Sequence, residues 1–289
     1  MIQPLFEHRT TLAGYETRVL ELEGEGIPVL MFHGYADSAD TWRQSLAILG
    51  RRGHRAVAVD LPGFGAAGRL KPGQPILPQL DAFAAAALKY AAGSDGQSVM
   101  VVGNSLGGCV SLRLAERYGE RVAGVMPVAP AGLEMSRLLY LVERDPILRV
   151  LLAVPNPVSG ALIRNAVARL YRTLAFAVPD AVEEAAIAAF TSHHSDRSTV
   201  ARYLDTAHRL IPELREPYQL KLISVPVLVV WGDRDRLVFH RGAQQILAAV
   251  PGAKLELMPG IGHCPQVEAP ERFTNILLEF CGETDAVAA

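Results

Sequence analysis

A chain of 289 residues with 50% hydrophobic and 20% charged residues is long enough for one large globular domain, or for a domain with an insertion, and excludes a disordered chain. The formal net charge is −2 and no basic stretch offers a phosphate-binding surface, which argues against a nucleic-acid partner. No run approaches the roughly 20 apolar residues that span a bilayer, so we expect no transmembrane segment. The N-terminus lacks the pattern of a secretory signal, and the three cysteines show no metal-ligand spacing. Both features favour a cytoplasmic protein.

The first half of the chain alternates apolar strand-like runs with helical patterns. The strand-like runs are residues 27–34, 54–65, 97–105 and 121–132. The helical patterns between them are residues 40–53, 77–93 and 106–119. Strands that are apolar on both faces and are joined by helices indicate a mostly parallel sheet with helices on both of its faces.

The rhythm changes after Gly132, because residues 133–219 show helical patterns and no convincing strand. Strands and helices then alternate again through "VPVLVVWGD", "RGAQQILAAV", "AKLELMPG" and "PERFTNILLEF". We therefore predict that residues 1–132 and 220–289 form an α/β core, and that residues 133–219 form an inserted helical cap.

The stretch "VVGNSLGG" gives the first candidate for chemistry. Its Ser105 lies between a strand-like and a helical segment, where a sharp turn can hold a hydroxyl out from the fold as a nucleophile. Gly103 and Gly107 permit such a tight turn. The alternative is a serine that only caps the helix.

A base and an acid follow Ser105 along the chain. His263 lies in a glycine-flanked loop after the last predicted strand, at the edge of a parallel sheet where ligands bind. Asp233 and Asp235 both lie in the turn of "WGDRDRLV", between the serine and the histidine, and either could orient the histidine.

The loop of "FHGYADSADTW" follows the first buried strand. At Gly34 its backbone can approach a substrate, and the amides of Tyr35 and Leu106 could form an oxyanion hole. We expect His33 to support this loop through hydrogen bonds and not to act as an acid or base.

These motifs together resemble the α/β-hydrolase superfamily: "HGY" after an early strand, "VDLPGFG" after the next, then "GNSLGG", "GDRD" and "GHCPQVEAPERF". The resemblance covers about residues 27–132 and 220–281. It implies the α/β-hydrolase fold, with a mostly parallel sheet of about eight strands and an inserted α-helical cap. In that family the acid lies three residues after the glycine of the acid turn, which favours Asp235 over Asp233. The position of Asp60 is usually structural there.

The resemblance implies a triad of Ser105, Asp235 and His263 that needs no cofactor and no metal. A serine nucleophile argues against the haloalkane dehalogenases and epoxide hydrolases of the superfamily, which carry aspartate there. We expect a carboxylesterase that acts with water on a small apolar ester, because the cap segments 138–155 and 166–178 are rich in apolar residues. A carbon–carbon bond hydrolase acting on a ketone, a lactonase, an acyltransferase or perhydrolase, and a non-catalytic binding protein remain alternatives.

Overall fold

The fold is built around one eight-stranded sheet. The computed structural model describes residues 3–137, 160–193 and 197–288. The strands are β1 (Leu5–Leu12), β2 (Tyr15–Leu22), β3 (Glu25–Phe32), β4 (His54–Val59), β5 (Val99–Asn104), β6 (Val122–Val128), β7 (Leu228–Gly232) and β8 (Lys254–Met258). Their order in the sheet is β1-β2-β4-β3-β5-β6-β7-β8.

Most of the sheet is parallel, as the sequence predicts. The pairs β3–β4, β3–β5, β5–β6, β6–β7 and β7–β8 are parallel, whereas β1–β2 and β2–β4 are antiparallel. Strands β1 and β2 form a hairpin at the edge that the sequence analysis does not predict. Its turn is Ala13–Gly14, and both residues have positive φ (51° and 82°), as a two-residue hairpin turn requires.

Helices cover both faces of the sheet. They are α1 (Arg43–Arg51), α2 (Ile76–Ala92), α3 (Leu106–Tyr118), α4 (Gly160–Ala175), α5 (Glu184–Ser192), α6 (Arg197–Glu213), α7 (Ala243–Ala249), α8 (Pro265–Glu268) and α9 (Pro270–Ala288). Residues of α2, α3 and α7 join the apolar core on one face, and residues of α1 and α9 join the core on the other. The predicted α/β-hydrolase architecture is therefore confirmed.

Helices α4, α5 and α6 lie between β6 and β7 in the chain. In the part of this region that the structure describes, every regular element is helical. The apolar segment 138–155 lies outside the described residues, and the boundaries of the cap stay a prediction. No helix among residues 3–137, 160–193 and 197–288 is both long and apolar enough to cross a membrane.

Candidate active site

Ser105 occupies a strained turn between β5 and α3. Its backbone has φ 55° and ψ −112°, a conformation that costs a non-glycine residue on the order of 1–3 kcal/mol. The turn is held from both sides, because the Ser105 amide donates to the Val128 carbonyl (2.8 Å) and the Ser105 carbonyl accepts from Ala131 N (3.0 Å). The end of β6 and the loop after it thus fix a serine that is only partly buried.

The glycines on either side of Ser105 are required by close backbone contacts. A Cβ on Gly103 would lie 2.1 Å from the Gly107 carbonyl oxygen, and a Cβ on Gly107 would lie 2.1 Å from the Phe32 carbonyl oxygen. Helix α3 can therefore begin directly against the end of β3, since position 107 carries no side chain.

His263 and Asp235 are joined by a buried hydrogen bond. The His263 Nδ1 lies 2.7 Å from Asp235 Oδ2, and both residues are about 5% exposed. The other carboxylate oxygen, Asp235 Oδ1, accepts from the amides of Leu237 (2.8 Å) and Val238 (3.0 Å). The carboxylate is thus held by its own turn and can fix the tautomer of His263 with Nδ1–H as donor.

Asp233 has a different hydrogen-bond partner from Asp235. Its Oδ1 accepts from the Gly260 amide at 2.7 Å and so closes the turn that follows β8. The structure thus brings Asp235 to His263 and gives Asp233 a place in a neighbouring turn.

Two side chains that the sequence analysis overlooks hold the histidine loop. The buried Asn104 donates through Nδ2 to the His263 carbonyl at 2.9 Å. The Glu268 carboxylate accepts from the amides of Gly262 (2.7 Å) and Ala177 (2.9 Å). Asn104 precedes the serine directly, so its place in the turn was a possible signal. Glu268 carries no comparable signal, because one of its partners, Ala177, lies 91 positions away in the chain.

His33 supports the loop after β3 through hydrogen bonds, as the sequence predicts. His33 is fully buried, its Nε2 accepts from the Leu61 amide (2.8 Å), and its Nδ1 donates to the Gly34 carbonyl (2.7 Å). Burial lowers the pKa of His33 to about 4, so the ring is neutral at pH 7. The buried Asp60 carboxylate accepts from the amides of Ala39 (2.7 Å) and Ala66 (2.8 Å) and ties two loops together.

Gly34 brings this loop next to the serine. A Cβ added to Gly34 would lie 3.5 Å from Ser105 Cβ and 3.3 Å from Asn104 Oδ1. The amide of the next residue, Tyr35, is therefore close to the serine turn, at whose other end Leu106 begins α3. The Tyr35 ring packs edge-on against Phe64 (5.2 Å between centroids), and its hydroxyl donates to the Tyr203 carbonyl on α6.

A cavity of about 340 Å³ opens at Ser105 and His263. Most of its wall is aliphatic, and α6 contributes a row of apolar side chains from Val200 to Ile211. The ionisable side chains in the described wall are Tyr35, Asp37, Tyr171, Tyr203, His263 and Cys264. The cavity is thus large enough for a small organic molecule and favours an apolar one.

Metal-ligating side chains do not cluster in the part of the chain that the structure describes. No group of three or more His, Cys, Asp or Glu there could hold a metal ion. The three cysteines are buried and form no disulfide. Burial raises the pKa of the Cys264 thiol well above its usual value, so the thiol next to His263 stays protonated.

Comparison with known proteins shows the family of the chain. The model of the alpha/beta hydrolase family matches residues 29–276. A 2-hydroxy-6-oxo-6-(2'-aminophenyl)hexa-2,4-dienoic acid hydrolase of Metapseudomonas resinovorans is 27% identical over 95% of this chain and 90% of its own length. Lipase 3 of a Moraxella species is 26% identical over 86% of this chain and 76% of its own. The crystal structure of a serine hydrolase involved in carbazole degradation superposes with a TM-score of 0.75 at 25% identity, covering 96% and 99% of the two chains.

Proposed function

Because the chain belongs to the alpha/beta hydrolase family, we propose that it is a serine hydrolase that cleaves a carboxylic ester of an apolar acid. The observation that carries this proposal is the arrangement of three side chains at one cavity. Ser105 occupies a strained strand-to-helix turn, and His263, which is bonded to Asp235, lines the same cavity. A nucleophile, a base and an orienting acid are the parts that acyl transfer requires.

The first half of the proposed reaction forms an acyl-enzyme. Ser105 Oγ attacks the ester carbonyl carbon while His263 Nε2 takes the hydroxyl proton, and Asp235 stabilises the resulting imidazolium. The amides of Tyr35 and Leu106 donate to the oxyanion. The tetrahedral intermediate then breaks its bond to the alcohol oxygen, and His263 returns the proton to that oxygen.

The second half releases the acid. A water gives a proton to His263 and attacks the acyl carbonyl carbon. The new intermediate breaks the bond to Ser105 Oγ, which regains its proton from His263. The carboxylic acid leaves, and the enzyme has its starting protonation state again. Every proton in the cycle is carried by His263, so no cofactor is needed.

Carbon–carbon bond hydrolysis is the second candidate, because the Metapseudomonas relative bears the name of a dienoic acid hydrolase. A dienoic acid is an anion at neutral pH, and a cationic side chain is the group that would bind it. Among the described residues that line the cavity there is no Lys or Arg, and Asp37 contributes a carboxyl group. This wall favours a neutral ester over an anionic diketone.

Turnover of p-nitrophenyl butyrate tests the proposal. We expect wild type to hydrolyse it, and Ser105→Ala to lose at least about 10³-fold in kcat. Ser111→Ala is a matched control, because Ser111 is a buried serine on α3 whose hydroxyl donates to the Gly107 carbonyl, and it should stay within about threefold of wild type.

Comparing the rates of ester and diketone hydrolysis separates the alternative functions. A vinylogous 1,5-diketone that is cleaved much faster than any short or medium ester would establish the carbon–carbon hydrolase. A binding protein would turn over neither substrate.

A further inference from the structure

A second, smaller cavity of about 110 Å³ adjoins the active-site cavity. Asp37, Tyr171 and Phe190 line both cavities. A cavity needs about 10–15 Å³ to hold one water, so this side cavity can hold a fragment of several heavy atoms. The three shared side chains make the side cavity a neighbour of the apolar chamber that α6 covers.

The chemistry of the reaction determines which part of a substrate faces the side cavity. His263 must protonate the leaving alcohol, so the alcohol lies on the histidine side of the reacting carbon. Cys264 follows His263 in the wall, and its Sγ lies 3.8 Å from the Tyr171 hydroxyl. The Tyr171 ring in turn stacks on Phe190 with 3.6 Å between centroids. The residues that continue the wall from His263 are therefore the ones that border the side cavity.

Polar side chains make up a larger share of the lining of the side cavity than of the main cavity. Asp40, Thr41, Arg43, Gln44 and Glu183 contribute to its lining. Asp37 lies at the junction. It is 6% exposed, and its Oδ1 accepts from the Ser38 amide at 2.8 Å.

Several groups face Asp37 from the surrounding elements. They are Asp40, Thr41, Tyr171, His193, Tyr203 and Cys264. Burial, the largest effect, raises the pKa of Asp37 to about 7, so near neutral pH the carboxyl group is available both as a hydrogen-bond donor and as an acceptor.

We propose that Asp37 and the side cavity form the subsite of the leaving alcohol, and that they select alcohols with a further hydroxyl group. The preferred substrates are then monoesters of a diol or triol with an apolar acid. The aliphatic wall along α6 takes the acyl chain, and Asp37 binds the free hydroxyl. This inference rests on the proposed ester hydrolysis and specifies its substrate class.

The test compares two esters with the same acyl group, glyceryl monobutyrate and butyl butyrate, by titration of the released acid. We expect wild type to have a kcat/KM at least about tenfold higher for the glyceryl ester, since a hydrogen bond to an ionised or buried group is worth about that factor. Asp37→Leu should lower the ratio of the two kcat/KM values about tenfold, and Asp37→Asn should keep most of it. The ratio is independent of the fraction of folded enzyme.

A second pair of variants tests the side cavity without altering Asp37. Ala189 lines the side cavity, whereas its neighbour Ala188 is exposed and lies outside the cavity wall. Ala189→Phe should fill the cavity and lower the ratio, and Ala188→Phe should leave the ratio at the wild-type value.

Two results would overturn the inference while ester hydrolysis stands. One is equal kcat/KM of wild type for both esters, and the other is an unchanged ratio in both Asp37→Leu and Ala189→Phe. A wild-type enzyme that hydrolyses neither ester, and whose Ser105 reacts with no fluorophosphonate, would instead refute the proposed function itself.

Discussion

Asp233 and Asp235 lie two residues apart in one turn, yet their carboxylates have different partners. Asp235 bonds His263, and Asp233 bonds the Gly260 amide. We expect Asp235→Asn to lower kcat for p-nitrophenyl butyrate by about 10⁴-fold, because an amide favours the wrong histidine tautomer, as in the serine-protease precedent. Asp233→Asn is the matched control and should cost less than about tenfold. A larger loss in Asp233→Asn than in Asp235→Asn would reverse the assignment.

The buried Asp37 makes a separate prediction about stability. Its folded pKa of about 7 lies above the ordinary value of 3.8, so the folded state binds more protons between about pH 4 and pH 7. Stability therefore falls as pH rises through this window. In Asp37→Asn no carboxyl group titrates at this position, so the variant does not lose this stability as the pH rises. We expect its free energy of unfolding, relative to wild type, to increase by roughly 1–4 kcal/mol between pH 5 and pH 8.

Urea unfolding of both proteins at the two pH values measures this effect. His33 acts in the opposite sense, because its lowered pKa makes stability fall as pH drops from about 6.5 to about 4. It is present in both proteins and cancels in the difference. If the difference in the free energy of unfolding between the two proteins is the same at pH 5 and pH 8, Asp37 is ionised throughout this range.

At this scale, residues that belong to short motifs could be predicted from the sequence. Ser105, His263 and Asp235 each lie shortly after the end of a strand, and parallel strands bring these ends together. The long-range contacts of Asn104 and Glu268, and the place of Asp37 in a cavity wall, could not be predicted from the sequence. The Asn104–His263 bond joins residues 159 positions apart, and a cavity wall has no signature in a linear sequence.

At the scale of elements, the junction of β5 and α3 depends on Gly107. Gly107→Ala would place a Cβ 2.1 Å from the Phe32 carbonyl oxygen, so backbone must move. We expect a loss of at least about 3 kcal/mol in the free energy of unfolding, or failure to fold. Gly282→Ala is the matched control, since a Cβ there meets nothing within 4 Å and alanine favours the helix α9 by up to about 1 kcal/mol.

Chemical denaturation of the two glycine variants checks this difference. A Gly107→Ala protein as stable as Gly282→Ala would mean that α3 does not abut the end of β3.

The parallel strands are easier to predict from the sequence than the edge hairpin. Strand β5 is buried along its whole length, and such apolar runs are easily recognised. Strand β1 is mostly exposed and carries charged residues, so its pattern resembles that of a loop. The antiparallel hairpin at the edge follows from pairing with the rest of the sheet, which the local sequence does not report.

At the scale of the whole molecule, the histidine loop is bonded to the end of α4. The His263 amide donates to the Ala175 carbonyl at 2.7 Å, and Glu268 binds the amides of Gly262 and Ala177. His263 is thus positioned by the helical region between β6 and β7 as well as by the sheet. The sequence predicts a helical region here, but not that it holds the histidine.

Glu268→Gln tests this link. It replaces one of two acceptor oxygens by a donor that faces an amide N–H, so we expect a loss of about 1–3 kcal/mol in the free energy of unfolding and a lower kcat. Amide hydrogen exchange of residues 175–178 and 262–263 should accelerate in the variant. Glu271→Gln, at the first turn of α9, is a control that should leave the exchange of both segments at the wild-type rate. Unchanged exchange in Glu268→Gln would show that the two segments hold together without this carboxylate.

Reaction with a fluorophosphonate, followed by mass spectrometry of the intact protein and its peptides, tests the central claim most directly. We predict that wild type gains one adduct on Ser105 and loses its esterase activity in parallel, and that Ser105→Ala gains none. His263→Ala should react far more slowly, because the serine then has no base. An unmodified wild-type protein, or an adduct on another residue that accompanies the loss of activity, would contradict the account.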